Sequence, residues 1–186
     1  AGKRLLILGF GRIGQKLAGL ARAFGMEIAA YDPFLPGEHW PKGAVRVSDL
    51  AAGLGEADAV SLHLPKADRV VLGADELALM KPSAVVVNTA RGGLVDEVAL
   101  AGALGAGRLG GAGIEVFDAE PPATDHPLFG IDRAVLTPHN AALTVECAER
   151  MALASVQNVL DFFAGKLDPA LIVNKAALGG VKEPAK

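Results

Sequence analysis

The sequence predicts a doubly wound, Rossmann-type α/β fold, in which helices cover both faces of a mostly parallel sheet. Three observations support this prediction. Short apolar runs alternate with longer helical patterns, the runs are apolar on both faces, and a glycine-rich turn separates the first run from the first helix. No repeat or linker divides the chain, so we expect one domain over residues 1–164. The periodicity is lost over residues 165–186, and the final VKEPAK is interpreted as a frayed end.

Seven apolar runs are predicted as strands. The first helix is predicted from apolar residues at helical spacing between 13 and 24, and Ser48 is a candidate N-cap for the second helix. Further helices are expected near 75–80, 96–105 and 144–164. The predicted strands are residues 5–8, 28–31, 45–47, 59–62, 84–87, 113–116 and 134–136.

The last predicted helix carries an apolar stripe, which predicts one buried side. The residues of this stripe are Met151, Leu153, Val156, Val159, Leu160 and Phe163.

The composition excludes several classes of protein. The 186 residues are 51% hydrophobic, yet no apolar run approaches the roughly 18 residues of a membrane-spanning helix. A formal net charge of −3 gives no electrostatic basis for binding nucleic acid or an anionic membrane. Cys147 is the single cysteine, which excludes an internal disulfide and favours a reducing compartment, so we expect a cytoplasmic protein. The histidines, the cysteine and the acids lack zinc-site spacing, and no metal is predicted.

A glycine-rich turn lies between the first predicted strand and the first predicted helix. Gly9 permits a tight turn, Gly11 lets the backbone approach a pyrophosphate, and Gly14 lets the helix pack close to the strand. A glycine turn without a ligand is the alternative. Asp32 ends the second predicted strand, about 20 residues on, where a carboxylate can hold the ribose hydroxyls and repel a 2′-phosphate. This pattern favours NAD over NADP, unless Asp32 only begins a turn before Pro33.

Three further segments place reactive side chains after predicted strands. Arg91 lies among small residues and glycines, Glu120 precedes two prolines, and His139 follows Pro138. Taken singly, each has a structural alternative: a surface arginine, a solvated loop acid or a packed histidine. Together with the glycine turn, Asp32 and His63, all of them follow strand carboxyl ends, where open α/β sheets bind ligands.

The residue types suggest a chemistry. A histidine can take or return a hydroxyl proton near neutral pH. A glutamate bonded to its other ring nitrogen would fix the tautomer and favour the imidazolium. An arginine can bind a carboxylate through two parallel hydrogen bonds. With NAD as hydride acceptor, the set formed by Arg91, Glu120 and His139 predicts the oxidation of a 2-hydroxy acid or the reverse reaction.

Nearly the whole chain resembles the D-isomer-specific 2-hydroxyacid dehydrogenases. The resemblance is carried by LLILGFGRIG, YDPF, VSLHLP, LMKPSAVVVNTARGGLVDE, GAGIEVFDAEPP, DHPLF and TPHNAALT, in this order. It implies that Arg91 binds substrate, that His139 is the acid/base and that Glu120 is its partner. The cofactor contacts that it implies are Gly9, Gly11, Arg12, Ile13, Gly14, Asp32, Pro33, His63, Leu64, Pro65, Thr89, Ala90, Arg91, Glu115, His139 and Ala141.

Two departures from the family pattern carry further expectations. Glu115 stands where the family usually has aspartate, and we expect it still to contact the carboxamide of the cofactor. The family's substrate domain and helical dimerisation arm precede the glycine turn in the homodimeric full-length members; here we expect both to be largely absent, with residues 165–186 a stub of the other domain. Such a chain would bind NAD(H) and a small 2-hydroxy or 2-keto acid, with poor turnover. The alternative is an NAD(H)-sensing module, related to dehydrogenase-like transcriptional corepressors.

Overall fold

The structure, a computed structural model, describes residues 1–174. Within that range it contains seven strands, five α-helices and two short 3-10 turns, at Gly37–His39 and Pro169–Leu171. The strands are β1 (Arg4–Leu8), β2 (Glu27–Tyr31), β3 (Val45–Arg46), β4 (Ala59–Leu62), β5 (Val85–Asn88), β6 (Gly111–Ile114) and β7 (Ala134–Leu136). The helices are α1 (Arg12–Ala23), α2 (Leu50–Glu56), α3 (Ala74–Ala78), α4 (Glu97–Gly105) and α5 (Val145–Phe163).

All seven strands form one parallel sheet in the order β3-β2-β1-β4-β5-β6-β7. The direction of the strand order reverses between β1 and β4, which is the switch point where doubly wound sheets bind ligands. Leu8, the last residue of β1, lies opposite Tyr31 of β2 and Leu62 of β4. Because these three strands end level, the segments after them meet at one edge of the sheet. The predicted Rossmann-type fold is confirmed.

Two hydrophobic cores lie on the two faces of the sheet, and β1 contributes to both. Leu5 and Ile7 pack with Ala18 of α1 in one core, whereas Leu6 and Leu8 belong to the other. This follows from the alternation of side chains along a strand. Each of these leucines and isoleucines is buried, and full burial of such a side chain stabilises the fold by about 1.5–3 kcal/mol. The apolar runs are therefore strands covered on both faces.

The predicted boundaries need small corrections. Strand β6 begins and ends two residues before the predicted 113–116, and β5 is shifted by one residue from 84–87. Ser48 is not the N-cap of α2. The carboxylate of Asp49 accepts a hydrogen bond from the backbone N–H of Ala51 at 3.0 Å, so Asp49 caps the helix.

The buried face of α1 consists of small residues. Gly14, Ala18 and Ala21 are buried, while Ile13 and Leu20 are 69% and 64% exposed. The helical spacing of the large apolar residues is correct, but most of them do not face the sheet. A helix that packs closely on a strand has room only for small side chains, and this is the reason for the difference.

The chain divides into two compact units, Ala1–Asn140 and the chain from Ala141 onward. The sheet belongs to the first unit and α5 to the second. The predicted buried stripe of α5 is wrong, because its six residues are 48–82% exposed. Periodicity identifies an apolar face, but burial also needs a surface that covers it. The predicted boundary at residue 164 stays a prediction, and the frayed VKEPAK end lies outside the described residues.

No helix within residues 1–174 combines the length and the hydropathy needed to cross a membrane.

Candidate functional site

The glycine-rich turn is packed tightly between β4 and α1. Gly9 has φ +89°, a conformation that favours glycine, and a Cβ there would lie 2.6 Å from the carbonyl oxygen of His63. A Cβ on Gly14 would lie 2.4 Å from the carbonyl oxygen of Gly9. Both distances are far below an ordinary contact, so glycine is needed at both positions. The turn thereby lies directly at the switch point of the sheet.

The first turn of α1 is open. The N-cap residue Gly11 makes no side-chain capping bond, and a Cβ built on it would meet no atom of residues 1–174 within 4 Å. Arg12 and Ile13 follow as exposed residues. The first N–H groups of a helix lack intrahelical partners and carry the positive end of its dipole. This end of α1 therefore fits a phosphate group.

Asp32, directly after β2, lies against the glycine turn. Its carboxylate accepts hydrogen bonds from the backbone N–H of Phe10 at 2.8 Å and of Phe34 at 3.0 Å. An ionised carboxylate has about four acceptor positions, so capacity remains for ribose hydroxyls. Pro33 is exposed beside it. The Phe10 ring stacks on Trp40 at 5.2 Å between centroids, which anchors the turn in the core. These residues fit a dinucleotide.

His63 follows β4 at the switch point. Its Nε2 lies 2.9 Å from the hydroxyl oxygen of Ser61. Burial lowers the pKa of the His63 ring, so the ring is neutral at pH 7. Leu64 is half-buried and Pro65 is exposed. The backbone of His63 and the side chain of Leu64 lie against Gly9 of the glycine turn. The cofactor contacts of His63, Leu64 and Pro65 stay a prediction.

Arg91 follows β5 in a loop that Asn88 organises. The buried Asn88 side chain donates from Nδ2 to the carbonyl of Arg91 at 2.9 Å and accepts from the backbone N–H of Ala90 at 3.1 Å. Ala90 is buried, whereas Thr89 and Arg91 are exposed. The buried Asn88 side chain thus fixes the loop. Arg91 is exposed, and Nη1 of its guanidinium donates a hydrogen bond to the carbonyl of Ala90.

The loops after β5 and β6 touch through their backbones. A Cβ on Gly92 would lie 1.9 Å from the carbonyl oxygen of Phe117. No side chain can occupy that space without moving one of the two loops. The backbone of the loop that carries Arg91 is therefore in direct contact with the backbone of the loop that carries Glu120.

His139 and Glu120 form the central polar pair. Nδ1 of His139 lies 2.8 Å from Oε2 of Glu120, whose Oε1 accepts the backbone N–H of Phe117 at 3.0 Å. These two hydrogen bonds, the one from His139 first, lower the pKa of the Glu120 carboxyl. His139 has φ 51°, and its backbone N–H donates to the carbonyl of Glu115 at 3.0 Å. The ring is held in place through Nδ1, and no residue in the described range 1–174 is recorded as a hydrogen-bond partner of Nε2.

Arg91, Glu120 and His139 line one cavity of about 200 Å³. Glu120 and His139 also line a neighbouring, larger cavity of about 450 Å³. The Arg91 charge contributes to the lowered pKa of Glu120, which reflects how near the two groups are. The structure brings together the three side chains that the sequence placed at separate strand ends.

Two predicted cofactor contacts differ from the rest. Glu115 is buried, and its Oε2 accepts a hydrogen bond from the hydroxyl of Thr137. Its contact with a carboxamide stays a prediction. Ala141 belongs to the second unit, and its contact also stays a prediction.

Two residues of the site were missed from the sequence. Asn88 holds the Arg91 loop, and the signal for it was an amide at the end of an aliphatic strand. Lys66 lines the cavity of about 200 Å³ with Arg91, and its place after the predicted Pro65 could have suggested it. In the range 1–174, no group of three or more histidines, cysteines or acids is arranged to hold a metal ion.

Comparisons with known proteins agree with this geometry. The family model described as "D-isomer specific 2-hydroxyacid dehydrogenase, NAD binding domain" matches residues 1–141. An (S)-sulfolactate dehydrogenase from Chromohalobacter salexigens is 44% identical over 161 residues, which cover 85% of this chain and 52% of that protein. A glyoxylate reductase from Thermococcus litoralis is 42% identical over 179 residues, which cover 95% of this chain and 54% of that protein.

A solved structure gives the same result. A D-lactate dehydrogenase from Aquifex aeolicus, complexed with NAD and lactic acid, has a TM-score of 0.77 and 32% identity, covering 88% of this chain and 54% of that chain. The chain spans about half the length of each of these three relatives. The parallel sheet, the glycine turn and the family model agree with one another. This chain therefore belongs to the D-isomer specific 2-hydroxyacid dehydrogenase family and carries its NAD-binding domain.

Proposed function

We propose that this chain supplies the cofactor site and the reacting side chains for hydride transfer between NAD(H) and a D-2-hydroxy acid/2-keto acid pair. The observation that carries the proposal is the 2.8 Å contact between His139 and Glu120, in a cavity that Arg91 also lines. An acid/base group, its partner and a carboxylate-binding cation are the groups that this reaction needs.

His139 moves the proton in this proposal. The lowered pKa of Glu120 keeps its carboxylate ionised, and an ionised carboxylate can only accept hydrogen bonds. The hydrogen of the contact therefore sits on Nδ1 of His139. Its Nε2 is then free to take the hydroxyl proton during oxidation and to return it during reduction. Glu120 also stabilises the imidazolium that forms after the proton has moved.

Arg91 binds the substrate carboxylate in this proposal. Its planar guanidinium can donate two parallel hydrogen bonds to a carboxylate, which fixes the adjacent carbon relative to His139. Lys66, on the same cavity, adds a second positive charge. When bound, NAD supplies the hydride acceptor. The carboxylate of Asp32 supports NAD rather than NADP, because it would repel a 2′-phosphate.

We further propose that the chain by itself binds NADH but turns over poorly. The side chains of His139 and Glu120 are 52% and 38% exposed. Water that reaches these groups weakens their electrostatic effect on the reaction, and dehydrogenases of this kind are expected to exclude it by closing a second wall.

A single-turnover assay tests the proposal. The chain is loaded with NADH, mixed with a panel of 2-keto acids, and followed by the absorbance of reduced nicotinamide. We expect slow oxidation, which His139→Gln slows by about 10²–10⁴-fold through loss of acid catalysis. Arg91→Lys should raise the keto acid concentration that is needed, whereas Arg108→Lys, an exposed arginine after α4, should not.

The alternative function is NAD(H) sensing. It predicts that the chain binds NADH. It also predicts that no 2-keto acid causes an oxidation of NADH whose rate His139→Gln lowers. The contact between an acid/base histidine and an ionised glutamate favours the dehydrogenase, because a sensor has no proton to move.

A further inference from the structure

A second histidine–glutamate pair lies behind the active-site loops. Nε2 of His126 lies 2.7 Å from Oε2 of Glu97, and the two side chains are only 10% and 13% exposed. Neither residue lines the cavity that holds Arg91 and His139. The proposed reaction gives this shielded pair no part.

The contacts of His126 define which nitrogen carries its hydrogen. Its Nδ1 accepts the backbone N–H of Leu128 at 3.3 Å. The hydrogen of the neutral ring is therefore on Nε2, which donates to Glu97. The ring also packs edge-on against Phe117, with centroids 5.2 Å apart. The pair is thus a fixed structural unit at the first turn of α4.

Glu97 uses its other oxygen to hold the loop that carries Glu120. Its Oε1 accepts the backbone N–H of Asp118 at 2.8 Å. The backbone N–H of Phe117 donates to the side chain of Glu120 at 3.0 Å, and this bond closes a turn. Asp118 lies within that turn. Glu97 therefore holds the middle of the turn whose end carries the partner of His139.

We propose that Glu97, oriented by His126, is a positioning residue that sets the geometry of the Glu120–His139 pair through the backbone of Asp118. This inference rests on the proposed function for its relevance to catalysis. Its physical content, a link from Glu97 to the His139 ring, is independent of turnover.

The test is nuclear magnetic resonance of the 186-residue chain, with ¹⁵N signals of the histidine rings and amide exchange of Asp118 as readouts. In Glu97→Ala, we expect Asp118 exchange to accelerate at least about tenfold, because a hydrogen bond to a charged group is lost. The His139 ring signals should move towards those of Glu120→Gln.

A matched control removes another carboxylate at a helix N-terminus. Glu76 accepts the backbone N–H of Gly73 at 3.0 Å in the first turn of α3, so Glu76→Ala loses a comparable bond without touching the Asp118 turn. It should leave the His139 signals unchanged. If Glu97→Ala does not fold, the same Asp118 exchange and His139 ring signals are measured in Glu97→Asp. Its shorter side chain keeps the charge but cannot span both His126 and Asp118.

Unchanged His139 signals in a folded Glu97 variant whose Asp118 exchange has accelerated would overturn the inference. Equal movement of these signals in Glu76→Ala would also overturn it, because any loss of helix stability would then suffice. Loss of NADH binding in the unsubstituted chain would instead contradict the proposed function and leave the link to His139 measurable.

Discussion

Adding one methyl group to Gly14 should destabilise the protein, although alanine is the better helix former. A Cβ at this position would lie 2.4 Å from the carbonyl oxygen of Gly9, and ordinary contact begins at 3.4 Å. The helix or the turn must therefore move by about 3.4 − 2.4 = 1.0 Å. The atom that is struck belongs to the backbone, so no side-chain rotation can relieve the clash.

The expected magnitude combines two opposing effects. Alanine in place of glycine gains up to about 1 kcal/mol of helix propensity, while overpacking a close contact costs about 1–3 kcal/mol. At the full propensity gain, we expect a net loss of up to about 2 kcal/mol, which lowers Tm by up to about 8 °C in a chain of this size. NADH affinity should fall as well, because the first residues of α1 shift together with the glycine-rich turn.

Gly11→Ala is the matched substitution, three residues away. A Cβ there meets no atom within 4 Å, so the unfolding free energy should change by less than about 1 kcal/mol, the ordinary effect at an N-cap. Its methyl group instead occupies the space offered to a phosphate, and NADH affinity should fall by at least about tenfold, or 1.4 kcal/mol. Thermal unfolding and NADH fluorescence titration measure both variants. A raised Tm in Gly14→Ala, or undiminished affinity in Gly11→Ala, would refute the reasoning.

Three further predictions concern other parts of the domain. Gly102, within α4, has open space at its Cβ position; Gly102→Ala should raise Tm by about 1–4 °C, for a gain of about 0.5–1 kcal/mol, and a lowered Tm would contradict this. Hydrogen bonds, first from the backbone N–H of Arg4 and then from two lysines, lower the pKa of Asp58 from 3.8 to about 2. The stability contributed by Asp58 is therefore present above pH 4 and lost as the pH falls towards 2; Tm curves of the wild type and Asp58→Asn should converge over this range, and parallel curves would count against it. Burial lowers the pKa of His63 from 6.5, so its ring should titrate below that value by nuclear magnetic resonance; a midpoint at or above 6.5 would exclude the described environment.

The fold was predictable because its signals are local. Aliphatic runs such as 5–8 and 59–62 are strands covered on both faces, and the glycine turn marks the switch point from a few adjacent residues. The parallel arrangement then brings Arg91, Glu120 and His139 to one edge, because the carboxyl ends of parallel strands all lie there. The residue types and the parallel topology were together sufficient to predict that these three side chains lie near one another.

The parts that could not be predicted depend on contacts between distant segments. Glu97 and His126 are 29 residues apart, and no spacing rule joins a residue at the start of a helix to one in a later loop. The burial of small residues on α1 depends on how closely the helix approaches the sheet, which periodicity does not contain. The exposed stripe of α5 is a similar case, since an apolar face does not specify what covers it.

The contact between Gly92 and the carbonyl of Phe117 has a consequence for redesign of the substrate preference. Two loops in backbone contact respond to a disturbance as one body, so a longer or shorter segment beside Arg91 would tilt the glutamate opposite it. Under the proposed function, libraries that vary residues 89–93 alone would disturb the alignment of Glu120 with His139. Varying both loops jointly, with glycine kept at 92, is the route by which a new acid could be accommodated while the proton-transfer pair keeps its alignment.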